Sequence, residues 1–325
     1  MGDFLRVLVT GAAGFVGKNL VKKLLEDGHE VISFDNKKCN IGTKVIIGDI
    51  CSFDFKQILE GVNVVFHLAS ILGTTELFHR IIEAERVNVL GTLNLLEAMR
   101  KKNVKKIVFT SKPNIWKHNP YTITKQTCEN YLKMYEHIYG FESIIVRPFN
   151  IYGPGEELVE YRKAVPYFVV AALKNEELEI FGDGEQTIDA IYVDDAVEAL
   201  IRSAKIAPKE IVEIGTSKPI KVTDLAERIL NLTNTSSSIA YIPMRRGEDN
   251  KIKIRANGNM SQLIDFSPKV NLDEGLKKTI IWYSKHLEEF RNIYKFQAED
   301  FEVNKRPRNV IMQQYDFLST RLKAR

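Results

Sequence analysis

The sequence predicts an α/β protein, a doubly wound parallel sheet with a smaller, partly interleaved α/β region added to it. Three observations carry that expectation. The first 150 residues alternate short apolar runs with longer stretches of helical period. A glycine-rich turn, Gly11-Ala-Ala-Gly14-Phe-Val-Gly17, joins the first run to the first helical stretch. An acid, Asp35, closes the second run, 21 residues beyond Gly14.

The strand-like runs are residues 6–10, 30–34, 44–47, 62–68, 106–110 and 143–147. Each is short, rich in Val, Ile and Phe, and lacks strict alternation, as strands buried on both faces do. Helical period fills the gaps. Residues 15–27 carry Val16, Leu20, Val21, Leu24 and Leu25 on one face and stop at Gly28. Residues 81–100 and 121–139 also read as helices. Beyond residue 150 the pattern loosens: Gly and Pro punctuate 153–155, 181–184 is a turn and 231–238 a polar loop. Residues 211–214 and 223–230 read as a further strand and helix. The expected division is 1–150, with pieces of about 188–230 packing on it, and a smaller region of 151–187 and 231–295. Residues 296–325 form a charged extension, a terminal helix or an oligomer contact.

Composition narrows the function classes. The chain has 325 residues, 44% hydrophobic and 27% charged, the balance of an ordinary globular protein. Its 46 Lys and Arg against 42 Asp and Glu are spread along the chain, which argues against nucleic acid as a partner. Cys39, Cys51 and Cys128 form no CxxC, and the six histidines form no HExxH, so no metal site is expected. The first residues run straight into a strand without the pattern of a signal peptide, and no stretch approaches the roughly 18 apolar residues of a membrane span. The expectation is a cytoplasmic protein without a membrane partner.

The glycine turn has a specific chemistry. Its glycines allow a tight turn and close backbone approach to a diphosphate, which the amides and positive dipole end of the following helix then face. Strand before, helix after and Asp35 at the ribose-binding distance point to a dinucleotide. A phosphate-binding loop of the Walker type is excluded, since Gly17-Lys18-Asn19 has no Ser or Thr where one is needed. A carboxylate at 35 favours NAD over NADP, although Lys37 and Lys38 soften that preference.

A second motif follows the fifth run. Tyr121-Thr-Ile-Thr-Lys125 puts a phenol and an ammonium one helical turn apart. A free tyrosine, with a pKa of roughly 10, is a poor base at neutrality. A cation about 4 Å away at an effective dielectric near 20 favours phenolate by about 4 kcal/mol, close to three pKa units. Tyr121 can then act as a general base in alcohol oxidation. Such sites add a Ser or Thr hydroxyl just upstream, where this chain reads Thr110-Ser111-Lys112-Pro113.

At this point the chain resembles the extended short-chain dehydrogenase/reductases, specifically their NAD-dependent nucleotide-sugar epimerase/dehydratase group. The resemblance covers about residues 4 to 285. It rests on the glycine turn, Gly48-Asp49-Ile50, His67-Leu-Ala-Ser70, Val87-Asn88-Val-Leu-Gly-Thr92 and the Tyr121–Lys125 pair. Further on it rests on Arg147-Pro-Phe-Asn-Ile-Tyr-Gly-Pro154, Ile180-Phe-Gly-Asp-Gly-Glu-Gln186, Ile191-Tyr-Val-Asp-Asp195 and Arg245-Arg-Gly-Glu248, then Asp273-Glu-Gly-Leu276 with Trp282. It implies a Rossmann NAD-binding domain with a smaller substrate-binding region. By the resemblance, Gly11, Gly14, Phe15, Val16, Gly17, Asp35 and Asn36 hold NAD, Asp49 and Ile50 meet adenine, and Leu68, Ala69 and Ser70 line the groove. Asn88 sits near the NAD ribose or diphosphate, Lys125 also holds the nicotinamide ribose, and Tyr121 and Pro148 complete the cofactor set. Asn150, Val165, Phe181, Arg245 and Glu248 match positions around the nucleotide of the sugar substrate. A homodimer through the helices near 88–102 and 121–139 is implied by analogy.

Three departures from the family pattern bear on the reaction. Counted back from Trp116, the catalytic Ser or Thr falls on Lys112. The segment from there to Tyr121 is shorter than usual. The family's Arg-Asp is here Ile188-Asp189, which removes a diphosphate contact. Either Ser111 or Thr110 supplies the hydroxyl and Lys112 points to solvent, or Lys112 enters the site as a cation; the first reading is preferred because loop edits relocate side chains readily. A 4,6-dehydratase needs an Asp-Glu pair where this chain has Pro113-Asn114. The expected function is therefore hydride transfer at C4 of a nucleotide sugar, with epimerisation ahead of net 4-dehydrogenation. Dehydration is disfavoured, and a non-catalytic NAD-binding scaffold is the reading from another class.

Overall fold

Runs that are apolar on both sides must be covered on both sides, and the chain does this by winding helices over a parallel sheet. The computed structural model describes residues 4–113, 117–158, 161–206, 210–245, 248 and 253–290. In chain order the strands are β1 (Arg6–Thr10), β2 (Glu30–Asp35), β3 (Val45–Ile47), β4 (Val64–His67), β5 (Lys106–Thr110), β6 (Glu142–Pro148), β7 (Asn150–Tyr152), β8 (Leu178–Phe181), β9 (Thr187–Ile188), β10 (Ala190–Tyr192), β11 (Ile211–Ile214), β12 (Ile220–Lys221) and β13 (Ile239–Ile242). The helices are α1 (Phe15–Glu26), α2 (Ile81–Ala84), α3 (Gly91–Lys101), α4 (Pro120–Tyr139), α5 (Ala164–Leu173), α6 (Val193–Ser203), α7 (Val222–Thr233), α8 (Met260–Ile264) and α9 (Leu272–His286).

Seven strands form the main sheet in the order β3-β2-β1-β4-β5-β6-β11, every neighbouring pair parallel. Thr10 lies beside Phe34 of β2 and His67 of β4, so the carboxyl ends of three strands are level. Chain order reverses between β1 and β4, and in open sheets of this kind the crevice at such a reversal receives the ligand. Leu8, Val65, Ile107 and Phe109 of the sheet pack with Leu96, Met99 and Leu132 of the helices to make the core. Three two-stranded pairs, β7 with β10, β8 with β13 and β9 with β12, lie outside the main sheet. The chain returns to that sheet at β11, which is the interleaving the sequence predicts. Residues up to Leu287 form one compact unit, and a second begins at Glu288.

Two polar arrangements tie elements together, the first in the later half and the second beside the main sheet. The Asp189 carboxylate accepts from Thr216 N and Oγ1, Ser217 N and Ala256 N at 2.6–3.0 Å. Arg147 donates to both oxygens of Glu129 at 3.0 and 2.6 Å, a two-pronged pair that ties β6 to α4. Both residues belong to motifs quoted above, and both have an architectural task here.

Three expectations are corrected. Residues 81–100 do not make one regular helix: Glu85–Leu90 is a π segment between α2 and α3, which a 3.6-residue period cannot reveal. The polar loop at 231–238 starts later, because α7 runs through Thr233, whose hydroxyl bonds back to Ile229 O at 2.8 Å. The helix ends at Asn234, in the left-handed region at φ 51°. Strand 62–68 narrows to Val64–His67. Asn114, Trp116 and residues 296–325 lie outside the described residues. Among the described residues no helix is long and apolar enough to cross a membrane.

Candidate active site

The carboxyl ends of β1, β2 and β4 open into a cavity of about 730 Å³. The glycine turn shapes its floor. Gly11 has φ +73°, and a Cβ there would stand 2.7 Å from Ala69 N; a Cβ on Gly17 would stand 2.0 Å from Gly11 O. Only glycine lets these backbone segments touch. No side chain caps α1 at Gly14, and the first-turn residues Phe15, Val16 and Gly17 line the cavity. This is a concave, donor-rich surface at the positive end of a helix dipole, suited to a diphosphate.

Asp35 reaches the same floor from β2. Its Oδ2 accepts from Ala13 N at 2.9 Å and its Oδ1 from Lys37 N at 3.0 Å, which aims the carboxylate at the cavity edge beside Asn36. Asp49 pairs with Arg86 and accepts from Cys51 N at 2.9 Å. The Cys51 amide, helped by Arg86, holds its carboxyl below the usual range. Ile50, Leu68, Ala69, Ser70 and Pro148 line the wall.

Asn88 is placed differently. It is buried in the π segment, away from the cavity lining, and its amide is committed: it accepts from Ile71 N at 2.9 Å and donates to Ile71 O and Thr124 Oγ1. Thr124 in turn donates to Tyr121 O. Asn88 thus clamps the loop after β4 to the helix that carries the tyrosine. Below it, His67 bridges Thr10 Oγ1 at 2.7 Å and Thr92 Oγ1 at 2.9 Å. Thr92 spends its proton on Asn88 O, so His67 Nε2 donates and Nδ1 accepts. Burial, with Lys125 nearby, drops the pKa of His67 to about 3 and keeps it neutral.

The tyrosine end of the cavity is built by β5 and α4. Asn119 caps α4 through Thr122 N at 2.9 Å, and Pro120 opens the first turn, so the helix starts just before Tyr121. Tyr121 lines the cavity, and its phenol is pushed up by desolvation, against which a Ser70 hydrogen bond works. Lys125 is buried on the same helical face. It donates to Thr110 O at 2.8 Å and lies 5.8 Å from the Tyr121 ring centroid. Burial lowers its pKa to about 8. It stands behind the tyrosine rather than on the cavity wall.

Ser111 and Lys112 part company at the end of β5. Ser111 N continues the ladder to Val146 O at 2.7 Å, and successive side chains then point to opposite sides. Ser111 faces the cavity, and its buried Oγ has no hydrogen-bond partner among the described residues. A buried orphan hydroxyl is costly, and a bound hydroxyl would satisfy it. Lys112 goes the other way: it is half-buried, and its ammonium donates to Thr122 Oγ1 at 2.8 Å. It is neither in solvent nor on the cavity wall.

The far side of the cavity gathers Asn150, Val165, Phe181, Arg245 and Glu248. Arg245 stacks 4.7 Å from the Phe181 centroid and pairs with Glu248 at 2.7 Å and Glu76 at 3.3 Å. Thr74 Oγ1 donates to Glu248 at 2.8 Å. Sequence reasoning passed over Thr74, Glu76, Tyr161 and Arg162. Tyr161 and Arg162 line the cavity, and Arg162 pairs with Glu179 at 2.8 Å and stacks 4.0 Å from the Tyr167 centroid. The run Tyr161-Arg162-Lys163, just before the Ala164-Val165-Pro166 segment, was the available signal. Nothing local marks Thr74 and Glu76, which meet Glu248 and Arg245 respectively across about 170 residues of chain.

Comparison with known proteins adds to this geometry. A model of the NAD dependent epimerase/dehydratase family matches residues 7–215. A putative UDP-glucose 4-epimerase of Methanocaldococcus jannaschii is 33% identical, over 85% of this chain and 97% of that protein. A UDP-N-acetyl-alpha-D-glucosaminuronate decarboxylase of Bacillus cytotoxicus is also 33% identical, over 86% of this chain and 97% of its own. In structure, the UDP-glucose 4-epimerase of Thermotoga maritima, solved with UDP-glucose, superposes with a TM-score of 0.82 at 30% identity, covering 87% of this chain and all of that one.

Proposed function

This chain belongs to the NAD dependent epimerase/dehydratase family, and from that premise we propose that it is a nucleotide-sugar 4-epimerase. The cofactor is NAD, and the uncapped α1 terminus, the glycine cradle and the aimed Asp35 carboxylate fit it. Phe15, Val16 and Gly17 would hold its diphosphate, Asp35 with Asn36 the adenine-side ribose, and Asp49 and Ile50 the adenine; Lys125, expected at the nicotinamide ribose, stands behind Tyr121 instead. When bound, NAD supplies a reversible hydride acceptor.

The observation that carries the reading is that Tyr121 and the Ser111 hydroxyl, without a partner among the described residues, line the same cavity, with Lys125 behind the phenol. Ser111 would hold the C4 oxygen by a hydrogen bond, and Tyr121 would take the C4 hydroxyl proton as phenolate. Burial raises the phenol's pKa and the Ser70 hydrogen bond works against that rise; the charge of the Lys125 ammonium, held below about pH 8, would favour the phenolate further. Epimerisation then asks of the protein only that this proton transfer be reversible and that the 4-keto sugar turn over before the proton returns. Dehydration would need a carboxyl acid–base pair next to the hydroxyl, and Lys112-Pro113 follow Ser111. In this reading residues 1–150 with about 188–230 hold the cofactor. Residues 151–187 and 231–295 would hold the nucleotide sugar, with Arg245 toward its diphosphate and Phe181 and Val165 around its base. The active form would be a homodimer.

The test is to purify the protein, identify its bound dinucleotide, and add UDP-, GDP-, CDP- and dTDP-sugars, UDP-glucose first. An isomer of unchanged mass without NADH build-up is the expected product. A product two hydrogens lighter with NADH accumulating would replace epimerase by 4-dehydrogenase. No reaction with any sugar would leave a cofactor-binding scaffold.

A further inference from the structure

The proton-transfer scheme above makes no use of Lys112, the residue that stands where the family pattern has its hydroxyl. Its position is nevertheless specific. The Lys112 ammonium lies 5.9 Å from the Tyr121 ring centroid, and the Lys125 ammonium lies 5.8 Å from the same centroid. Lys112 comes from the end of β5 and Lys125 from the next turn of α4, so two cations reach one phenol from different elements. Thr122, which takes the Lys112 hydrogen bond, donates in turn to Asn119 Oδ1 at 3.0 Å, and Asn119 and Thr122 are both buried.

A structural tie does not explain a lysine here. An uncharged donor could make the bond to Thr122 Oγ1. A cation at this point is disfavoured twice, by burial and by the positive end of the α4 dipole beside Asn119. Burial first, and Lys117 second, pull the Lys112 pKa down to about 8, with Glu248 opposing. The charge is therefore carried at a cost, beside a group that burial makes hard to ionise. The other groups bearing on that phenol are the Ser70 hydroxyl, Tyr161 and Cys128, and Lys125 itself faces Cys128 and Glu129. Of the first three, Ser70 alone favours phenolate, through its hydrogen bond, while Tyr161 and Cys128 oppose it.

We propose that Lys112 is a second cation acting through Tyr121: with Lys125 it stabilises the phenolate on which proton transfer depends. Lys112 is a positioning residue in this sense, since it touches neither substrate nor cofactor. The proposal rests on the role given to Tyr121 above. A unit charge roughly 6 Å away at an effective dielectric near 20 moves a pKa by about two units, so losing it has a readable effect.

The experiment compares wild type, Lys112→Gln and Lys112→Arg as holoenzymes. Gln keeps a donor for Thr122 without charge, and Arg keeps the charge. Two readouts are taken: the pH profile of turnover with the preferred nucleotide sugar, and the tyrosinate absorbance titration after subtraction of the matching Tyr121→Phe protein. The acid limb of the profile and the Tyr121 titration are both expected to move up by one to two units in Lys112→Gln and to stay near wild type in Lys112→Arg. A Lys112→Gln enzyme with both pKa values in place, whether its turnover is intact or uniformly reduced, overturns the proposal and leaves Lys112 as a structural tie. Should wild type turn over no nucleotide sugar, the functional reading fails, and the tyrosinate titration alone still decides the role of Lys112. Circular dichroism checks that both variants are folded; if Gln disrupts the fold, Lys112→Met takes its place.

Discussion

At the scale of single residues, the tyrosine end of the cavity turns on which side chain of Thr110-Ser111-Lys112 faces the substrate. The ladder bond from Ser111 N to Val146 O settles the geometry, because strand side chains alternate. Thr110 spends its hydroxyl on His67 O at 3.0 Å, which leaves Ser111 as the hydroxyl on the cavity side. Removing one hydrogen-bond donor to a developing oxyanion costs about 10²- to 10³-fold in turnover, and Ser111→Ala is expected to lose that much in kcat with little change in KM. Tyr121→Phe should lose more, about 10²- to 10⁴-fold. Steady-state kinetics on the preferred sugar would check both. A Ser111→Ala enzyme with full kcat would shift the hydroxyl role elsewhere. The Tyr121–Lys125 pair was legible in the sequence because an i, i+4 relation is local to one helix. The choice between Ser111 and Lys112 was not, since one residue of register at a strand end decides it.

Among the elements, the turn between β1 and α1 is where sequence and structure agree most closely. Its glycines are required by contacts that a Cβ cannot share: Gly17 against Gly11 O, and Gly11 against the backbone of Ala69. In Gly17→Ala the added Cβ meets backbone rather than a flexible side chain, so the turn must open and the diphosphate cradle with it. A ligand present at 100 times its Kd adds about 2.7 kcal/mol of stability. Wild-type protein stripped of cofactor should therefore gain several degrees of Tm when NAD is restored at that excess, and Gly17→Ala should gain little. Thermal unfolding with and without NAD measures this; an equal gain in the variant would mean that the turn does not hold the cofactor. The π segment Glu85–Leu90 shows the opposite case. It seats Asn88 where it can clamp Ile71 and Thr124 together, yet its polar and apolar residues read as ordinary helix.

At the scale of the whole molecule, the outer face of α4 presents apolar side chains. Ile123, Met134 and Ile138 fall on one stripe of that helix and are exposed, as is Leu90 in the π segment beside it. Scattered exposed apolar side chains are ordinary, but an aligned stripe on the helix that carries Tyr121 and Lys125 suits a second copy of the chain. The homodimer proposed above would bury it. Ile138→Asp places a charge in that contact and should yield monomers, with wild type sedimenting as a dimer in analytical ultracentrifugation. A monomeric wild type would remove the dimer from the proposal without touching the site. The later half of the chain depends on contacts of similar range: Asp189 ties residues 216, 217 and 256 together, and a sequence motif gave no sign of that task.

What the sequence determined by itself was whatever rests on local periodicity and close spacing. Strands 6–10, 106–110 and 211–214 stand where their apolar runs put them, the glycine turn sits between β1 and α1, and Asp35 reaches it from the neighbouring strand. Burial on both faces leaves a strand little choice of pattern, and a helix repeats every 3.6 residues whatever surrounds it. Tertiary structure alone decided the rest: that Asn88 clamps rather than lines, that Ser111 and not Lys112 meets the cavity, and that Glu76 and Thr74 find Arg245 and Glu248. These depend on strand register and on segments brought together across the fold. Energies of that kind are set by the distance between groups in space, which spacing along a chain does not encode.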